Sequence, residues 1–324
     1  MPKDPIGVLG RLNAASLLMI TPEYYKNFSS RAKSAGKINY DPASFAMKPV
    51  YMHLNGLKVR YATGGNSDGP TILFLSPLPQ SILCFDAIWS ALSDTANLVA
   101  LDLPGFGQSE GDLSYMTFAA QSGFLEKFID ELGLSDIHIL APDVAMPVAL
   151  HYVLHRAHKA TSILVGAGPS VQPSADGSLV RKMIGSAFWR FVFAMTGASA
   201  FVCGANKLGY LQYSPSSAEV SDYLASYSGR VGQVTKWFKG YPEGCKDIDP
   251  HLAKLDLPVH IVWGERDAFL KADNAKRLHE RLPNSALTIF KGSGHFFYQD
   301  KSAELTDLLE TWIKGGYDEQ QTLS

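Results

Sequence analysis

Cysteine is scarce in this sequence of 324 residues, which contains only Cys84, Cys203 and Cys245. Three cysteines so far apart do not form the paired spacing of a zinc site or the framework of a small disulfide-stabilised domain. The sequence therefore predicts reduced thiols and no metal site. Since persistent disulfides belong to oxidising compartments, we expect a cytoplasmic protein.

An excess of either charge is also missing. Lys and Arg number 29 and Asp and Glu number 31, so the formal net charge is −2. Proteins that bind nucleic acid usually carry a basic face, and disordered chains combine low hydrophobicity with high net charge. Because 46% of the residues are hydrophobic, we predict a globular protein with no nucleic-acid partner.

Long apolar runs are absent too. None approaches the roughly 18 uninterrupted apolar residues that span a bilayer, so the sequence predicts no transmembrane segment. The stretch from Pro5 to Ile20 is fairly apolar but is interrupted by Arg11, and no clean cleavage site follows it. We expect an amphipathic helix that covers the body of the protein. An arm that touches a membrane or a partner is the alternative.

Beyond about residue 45, short apolar runs alternate with longer amphipathic stretches. Tyr51 to Thr63 predicts a β-hairpin with Asn55-Gly56 at its turn. Five further apolar runs predict strands, at 71–76, 98–102, 137–140, 162–165 and 259–263, and a sixth lies at 287–290. Helical spacing separates them. This alternation is typical of a mostly parallel sheet with helices on both faces, the α/β class.

The alternation stops between Gly166 and Asp249, where the sequence is rich in aromatic residues. Open parallel sheets bind ligands at the carboxyl ends of their strands, so we expect this insertion to cover those ends. The predicted organisation has an N-terminal helical arm at 1–45. An α/β core follows at 46–166 and 250–324, and a helical cap at 167–249.

Polar and glycine-rich loops directly follow the predicted strands. They lie at 76–79, 102–109, 141–145, 264–267 and 292–295. The loop at 141–145 resembles the nucleophile elbow of the α/β-hydrolase superfamily, with small Ala141 and Ala145 on either side of Asp143. The superfamily's chain order of nucleophile, acid and histidine is matched by Asp143, Asp267 and His295. The resemblance covers roughly residues 49 to 315 and implies the α/β-hydrolase fold.

With an aspartate at the nucleophile position, the sequence resembles the branch of the superfamily that contains epoxide hydrolases and haloalkane dehalogenases. A carboxylate attacks saturated carbon well and forms an alkyl-enzyme ester. The resemblance then implies that His295, oriented by Asp267, activates water against that ester. The backbone amides of Leu78 and Val144 are expected to form the oxyanion hole. Neither a metal nor an organic cofactor is implied.

The two kinds of enzyme in this branch differ in how they stabilise the leaving group. A dehalogenase typically has Trp after the nucleophile and Asn in the oxyanion loop, but this chain has Val144 and Leu78. An epoxide hydrolase usually carries a pair of tyrosines on the cap, so epoxide opening is preferred and dehalogenation is the nearest rival. Candidate substrate-binding residues are Trp189, Tyr210, Tyr213, Tyr223, Tyr227 and Trp237. The aromatic cap predicts a hydrophobic small-molecule substrate.

Other roles for Asp143 stay open. It would cap the helix beginning near Met146 if it were purely structural. As a general base or substrate anchor it would serve a cyclase, a lyase or an unusual acyl hydrolase. A ligand-binding protein with a decayed site is a third hypothesis, because the loop Ser76-Pro79 departs from the usual His-Gly-x-Pro and Pro77 removes an N–H. The N-terminal arm would be available to meet a second subunit, as in a homodimer.

Overall fold

A computed structural model describes residues 5–316 of the chain. The eight strands form a single sheet in the order β1-β2-β4-β3-β5-β6-β7-β8. Their bounds are β1 Val50–Leu54, β2 Leu57–Gly65, β3 Thr71–Leu75, β4 Asn97–Leu101, β5 Ile137–Pro142, β6 Ala160–Gly166, β7 Val259–Gly264 and β8 Ser285–Phe290.

The six strands β4-β3-β5-β6-β7-β8 pair in parallel, in that spatial order. Strand β2 runs antiparallel to both of its neighbours, β1 and β4. The predicted hairpin is confirmed: β1 and β2 meet at Asn55 and Gly56, which have φ angles of 51° and 80°. A two-residue turn with both φ angles positive matches the twist of the flanking strands. The mostly parallel α/β sheet expected from the sequence is therefore the observed one.

Twelve α-helices lie in the described part of the chain, with short 3₁₀ turns between some of them and a π-helical turn at Trp312–Gly316. Their bounds are α1 Gly7–Met19, α2 Pro22–Ser34, α3 Asp86–Leu92, α4 Phe118–Glu131, α5 Ala145–His155, α6 Ser178–Gly185, α7 Ala187–Gly209, α8 Ser217–Tyr227, α9 Val231–Ile248, α10 Asp273–Arg281, α11 Phe297–Asp300 and α12 Ser302–Thr311.

The central strands are buried because helices cover both faces of the sheet. Every residue of β5 and of β7 is buried, as the near-continuous apolar runs predict for parallel strands. The loops that follow β3, β5, β7 and β8 carry Leu78, Asp143, Asp267 and His295, respectively. The fold therefore delivers these residues to one edge of the sheet.

Helices α6 to α9 occupy the segment predicted as the cap, and we call them the cap helices. The helical segments α1 and α2 belong to the predicted N-terminal arm, and α1 packs along α7. Residues 1–4 of the predicted arm and residues 317–324 of the predicted core lie outside the described residues.

The helix α1 differs from the expected amphipathic one. Its buried residues are Gly10, Ala14 and Leu18, and a Cβ added at Gly10 would lie 2.6 Å from Cβ of Ser199. Its outward side carries the exposed apolar residues Val8 and Leu9. The expected pattern is therefore wrong here, because the outer side is not polar and two of the three buried residues are small.

One cap helix, α7, is long and apolar enough by composition to cross a membrane, with a mean hydropathy of 1.3 over 18 residues. Only 22% of that window is buried within the protein. Gly197, at φ 72° and ψ 168°, interrupts the helix with a kink. The helix α7 packs against α1, α8 and α9. It therefore belongs to the cap, with one side against these helices and the other side exposed.

Candidate active site

Asp143 occupies a sharp bend between β5 and α5. Its φ of 54° lies in the left-handed region, which is costly for a residue with a side chain and recurs at functional sites. A Cβ added at the neighbouring Gly168 would lie 2.3 Å from the Asp143 carbonyl oxygen, so only glycine fits there. The helix α5 has no side-chain cap. The Asp143 carboxylate is therefore not used as a helix cap and faces the cavity described below.

The carboxylate of Asp143 meets a backbone donor from the loop after β3. The amide of Leu78 donates a hydrogen bond to Oδ2 of Asp143 at 2.7 Å. Val144, the other residue predicted for the oxyanion hole, precedes α5 and borders the same cavity. Although Pro77 lacks an N–H, the next residue supplies a donor at the carboxylate.

His295 lies between two carboxylates. Its Nδ1 is 2.8 Å from Oδ2 of Asp267, and its Nε2 is 3.4 Å from Oδ1 of Asp143. The second oxygen of Asp267 accepts the backbone amides of Phe269 and Leu270. These bonds fix the carboxylate that orients the imidazole. The structure thus brings together all three residues that the sequence proposed as a triad.

The pKa of His295 reflects this position. Burial disfavours the charged imidazolium, but the negative charges of Asp267 and Asp143 outweigh it and raise the pKa to about 10. At neutral pH the resting site therefore holds an imidazolium flanked by two carboxylates.

A small cavity of about 60 Å³ opens at Asp143 and His295, between the sheet and the cap helices. Its wall is mainly apolar. The other lining residues are Leu78, Pro79, Val144, Pro169, Val180, Phe201, Ala205, Trp237, Phe238, Tyr241, Phe269 and Leu270. An apolar pocket with a few convergent polar groups is the usual form of a small-molecule site.

Two residues of α9 whose side chains carry hydrogen-bond donors line this cavity. Trp237 is buried and packs against Phe106 and Phe118. Tyr241 donates its hydroxyl proton to Asp176 at 2.8 Å and lies 2.8 Å from the hydroxyl of Ser174. Of the residues predicted to bind substrate, Trp237 is the one that lines the cavity.

The four predicted cap tyrosines do not line the cavity, which corrects the expectation that they contact substrate there. The hydroxyl of Tyr210 is bonded to the side chains of Gln80 and Gln299, and that of Tyr227 donates to the Gln80 carbonyl. These tyrosines instead attach the cap to the loop that follows Pro79.

The remaining two tyrosines are also buried away from the cavity. The Tyr213 hydroxyl donates to the carboxylate of Glu219. The Tyr223 hydroxyl is buried without a hydrogen-bond partner among the described residues. Trp189 lies on the outer side of α7, with Nζ of Lys182 4.7 Å from its ring centroid. The helical spacing that suggested these residues arises from packing.

Sequence reasoning missed Tyr241, Phe201 and Phe269 as residues of the cavity wall. Phe269 follows Asp267 by two positions, so its nearness to the predicted triad was a usable signal. Tyr241 and Phe201 lie within long cap helices, whose crossing over the sheet no local pattern reveals. Among residues 5–316 no group of three or more His, Cys, Asp or Glu side chains is placed to hold a metal ion.

The eight-stranded sheet, the strained turn at Asp143 and the inserted helices define an α/β-hydrolase. The family model described as alpha/beta hydrolase fold matches residues 70–302. The chain belongs to this family, as the sequence resemblance predicted.

The curated relatives of this chain include distant ones with a stated activity. A dihydrolipoyllysine-residue acetyltransferase component of an acetoin cleaving system, from Cupriavidus necator, is 24% identical, with 90% of this chain and 75% of the relative covered. The haloalkane dehalogenase DbeA from Bradyrhizobium elkani has a similar structure, with a TM-score of 0.71 at 21% identity. That match covers 84% of this chain and 99% of DbeA.

The epoxide hydrolase VrEH1 from Vigna radiata is similar at a TM-score of 0.68 and 20% identity, with 83% of this chain and 98% of the other covered. At such identities the likeness establishes the fold. The reaction has to be argued from this chain's own site.

Proposed function

We propose that this protein is a hydrolase in which Asp143 attacks a saturated carbon and forms an alkyl ester. The observation that carries the proposal is that the two carboxylate oxygens of Asp143 have different partners. Oδ2 accepts the Leu78 amide at 2.7 Å, whereas Oδ1 faces His295 in the cavity. Attack through Oδ1 would leave Oδ2 as the ester carbonyl oxygen, already bonded to a donor.

The second step is hydrolysis of that ester. Water attacks Cγ of Asp143 while His295 takes its proton, and the negative charge that develops on Oδ2 is stabilised by the Leu78 amide. Collapse of the tetrahedral intermediate expels the product alkoxide, which is protonated from His295. The carboxylate of Asp143 is restored with one oxygen from water.

The resting imidazolium fits this sequence of steps. His295 cannot act as a base while it is protonated, and its pKa in the resting site is about 10. Ester formation removes the charge of Asp143, which is one of the two carboxylates that stabilise the imidazolium. The pKa of His295 then falls, the imidazolium releases its proton to solvent, and the neutral imidazole is a base once the ester has formed.

Epoxide opening is the preferred first step. An epoxide keeps its leaving oxygen attached and requires a donor for that oxygen. Tyr241 lines the cavity, and we assign its hydroxyl to this role in place of the predicted cap tyrosines. To donate to an epoxide oxygen, it would exchange its bond to Asp176 for one to the substrate. The apolar wall favours a hydrophobic substrate of modest size.

Haloalkane dehalogenation is the second candidate, and the position of Trp237 favours it. Its indole lies in the cavity wall, where an N–H would stabilise a departing halide. This replaces the tryptophan that is missing at position 144.

Single turnover in ¹⁸O-labelled water tests the proposal, with styrene oxide and 1-bromohexane as the probe substrates. Covalent catalysis labels the carboxylate of Asp143, which mass spectrometry of the peptide containing it would detect. Product formation with an unlabelled Asp143 would make it a general base or an anchor and reject the ester. Tight binding without turnover of either probe class would favour a ligand-binding protein.

A further inference from the structure

Exposed large apolar side chains are concentrated on one part of the molecule. Within residues 5–316, all of them except Val50, Tyr51 and Leu113 belong to the N-terminal helical segment or to α7. They are Val8, Leu9, Leu12, Met19, Ile20, Tyr25, Phe28, Phe188, Phe191 and Met195. Scattered single apolar residues are normal on a protein surface, but a concentration of this kind marks an interaction site.

Contacts between the helices bring the segments that carry these side chains together. Gly10 packs α1 against α7, whereas Val8, Leu9, Leu12 and Met19 of α1 are exposed. Nζ of Lys182 donates to the carbonyl of Ile20 at 3.2 Å and also lies over the ring of Trp189. The end of α1 is therefore joined to the beginning of α7.

The helix α2 borders the same surface, because the Tyr25 hydroxyl donates to the Met19 carbonyl. We call the exposed apolar residues of α1 and α7, together with Ile20, the apolar face. Its most exposed members are Leu9, at 77%, and Val8, at 74%.

Basic residues predominate in the segments that carry the apolar face. Residues 178–218 contain Arg181, Lys182, Arg190 and Lys207 but no Asp or Glu. Residues 5–22 contain Arg11 as their single charged residue. Glu23, which follows, is hydrogen-bonded to the hydroxyl and amide of Ser178. The protein as a whole has a net charge of −2, so this surface departs from the average.

A basic groove adjoins Phe191. It is an open depression of about 350 Å³ between α7 and α9, lined in part by Arg190, Lys236 and Lys239. Apolar side chains beside cations are the combination with which peripheral proteins hold an anionic bilayer surface. The apolar groups enter the acyl boundary, and the cations lie at the level of the phosphates.

We propose that the apolar face docks on the surface of an anionic lipid bilayer. A partner with an acidic surface would match the charge alone, but the eight exposed side chains of the apolar face would stay in water. The bilayer interface accepts both features. The kinked helix α7 packs against neighbouring helices on one side, so it lies along the bilayer surface and does not cross it.

A second cavity lies next to the active-site cavity, on the side of α1. It lies between α1 and the cap helices, where Leu17, Leu18 and Leu179 form part of its wall. Phe201, Ala205 and Phe269 belong both to this wall and to the wall of the cavity at Asp143. An apolar molecule that partitions into the bilayer would thus meet an apolar route toward the catalytic residues.

Sedimentation of the full-length protein with lipid vesicles tests the docking, whatever reaction the site performs. We expect binding to vesicles of phosphatidylcholine with about one third phosphatidylglycerol, and at least about tenfold weaker binding to phosphatidylcholine alone. Binding should fall severalfold at about 0.5 M salt, because the Debye length shortens to a few ångströms. Wild-type protein that stays in the supernatant with anionic vesicles would overturn the proposal.

Variants identify the surface. The combined change Phe188→Ser, Phe191→Ser and Met195→Ser should weaken binding by at least about tenfold, since three exposed apolar groups are lost without disturbing the core. Val50→Ser with Leu113→Ser removes exposed apolar groups that lie outside the apolar face and should leave binding unchanged. Lys236→Gln with Lys239→Gln should weaken binding to anionic vesicles and reduce its salt dependence.

The outcomes are decisive when circular dichroism shows that each variant is folded. Equal binding by the wild type and the triple serine variant would overturn the proposal. Analytical ultracentrifugation distinguishes another occupant: a dimer that the triple variant dissociates, together with no vesicle binding, would make the apolar face an interface between two copies.

Discussion

Nε2 of His295 lies 3.4 Å from Oδ1 of Asp143, on the side of the carboxylate away from the Leu78 amide. This arrangement gives the two oxygens of one side chain different surroundings. It also places the base where a water molecule attacking an ester at Asp143 would lose its proton. The first three predictions follow from it.

Replacing His295 by Gln should trap the alkyl-enzyme ester. The glutamine has no basic nitrogen to activate water, whereas attack by Asp143 does not need that base. Incubation with styrene oxide or 1-bromohexane should therefore add the mass of the alkyl group to the peptide containing Asp143. The matched control combines Asp143→Asn with the same change and should show no adduct. Turnover by the single variant without any adduct would contradict the mechanism.

Replacing Asp267 by Asn should slow ester hydrolysis by about 10²–10⁴-fold, because the carboxylate that holds Nδ1 of His295 is lost. The asparagine can still accept the amides of Phe269 and Leu270 through its carbonyl oxygen. The fold should therefore persist, as thermal unfolding would show. Rapid-quench measurements should find ester formation less affected than ester hydrolysis, and equal losses in both steps would count against this assignment.

The pH dependence should differ between the two chemical steps. Because the resting pKa of His295 is raised to about 10 and falls when Asp143 is esterified, hydrolysis should rise with pH with an apparent pKa well below 10. NMR titration of the imidazole in the resting enzyme should give the higher value. An identical pKa in the resting and the alkylated protein would refute the coupling.

The same raised pKa has a consequence for stability. A folded-state pKa above the unfolded one means that the ion pairs of His295 contribute fully below about pH 6.5 and are lost as pH rises through about 10. The difference in the free energy of unfolding between the wild type and His295→Gln should therefore shrink over this range. Urea titrations at several pH values would measure it.

Donors in the cavity wall distinguish the two candidate reactions. If the substrate is an epoxide, Tyr241→Phe should slow ester formation by about 10²–10³-fold, the usual effect of losing one such donor. Trp237→Phe should then have little effect on this step. The reverse pattern is expected for a haloalkane. Each change keeps an aromatic ring, so the two variants are controls for one another in pre-steady-state kinetics.

The loop after β4 offers a test of packing. Gly107 has φ 50°, and a Cβ there would lie 2.1 Å from Cγ of the buried Asp102. Asp102 accepts the amides of Ile82 and Gln108. Gly107→Ala should therefore lower the free energy of unfolding by about 1–3 kcal/mol more than Gly56→Ala. Gly56 has φ 80° with open space around it, so the comparison isolates the clash from backbone strain.

Much of the α/β core was predictable, because its signals are local. Apolar runs indicated the buried strands β3 to β7, and Asn55-Gly56 indicated the hairpin turn. Chain order and the small residues around Asp143 indicated the triad, which the parallel sheet assembles by bringing strand ends to one edge. The residues that the sequence placed together at this edge are those following β3, β5, β7 and β8.

The cap was harder to predict for a physical reason. Aromatic residues at helical spacing serve packing and substrate contact equally well, and only the crossing of helices decides which side faces the cavity. Tyr210 and Tyr227 turn toward Gln80, while Tyr241, without any distinguishing pattern, reaches the cavity wall. The helix α1 also departs from the amphipathic pattern. Its outer side is apolar, and its inner side includes the small residues Gly10 and Ala14.

Gln80 illustrates how the cap and the catalytic loop are joined. Its carbonyl accepts Tyr227, its side-chain amide donates to Tyr210, and its side-chain oxygen accepts Tyr298. It stands two positions after Leu78, whose amide holds Asp143. Opening of the cap as a free lid would break these hydrogen bonds and disturb the Leu78 amide that is bonded to Asp143. A ligand would therefore enter through rotation of side chains beneath a cap that stays in place, and the bond between Leu78 and Asp143 would persist.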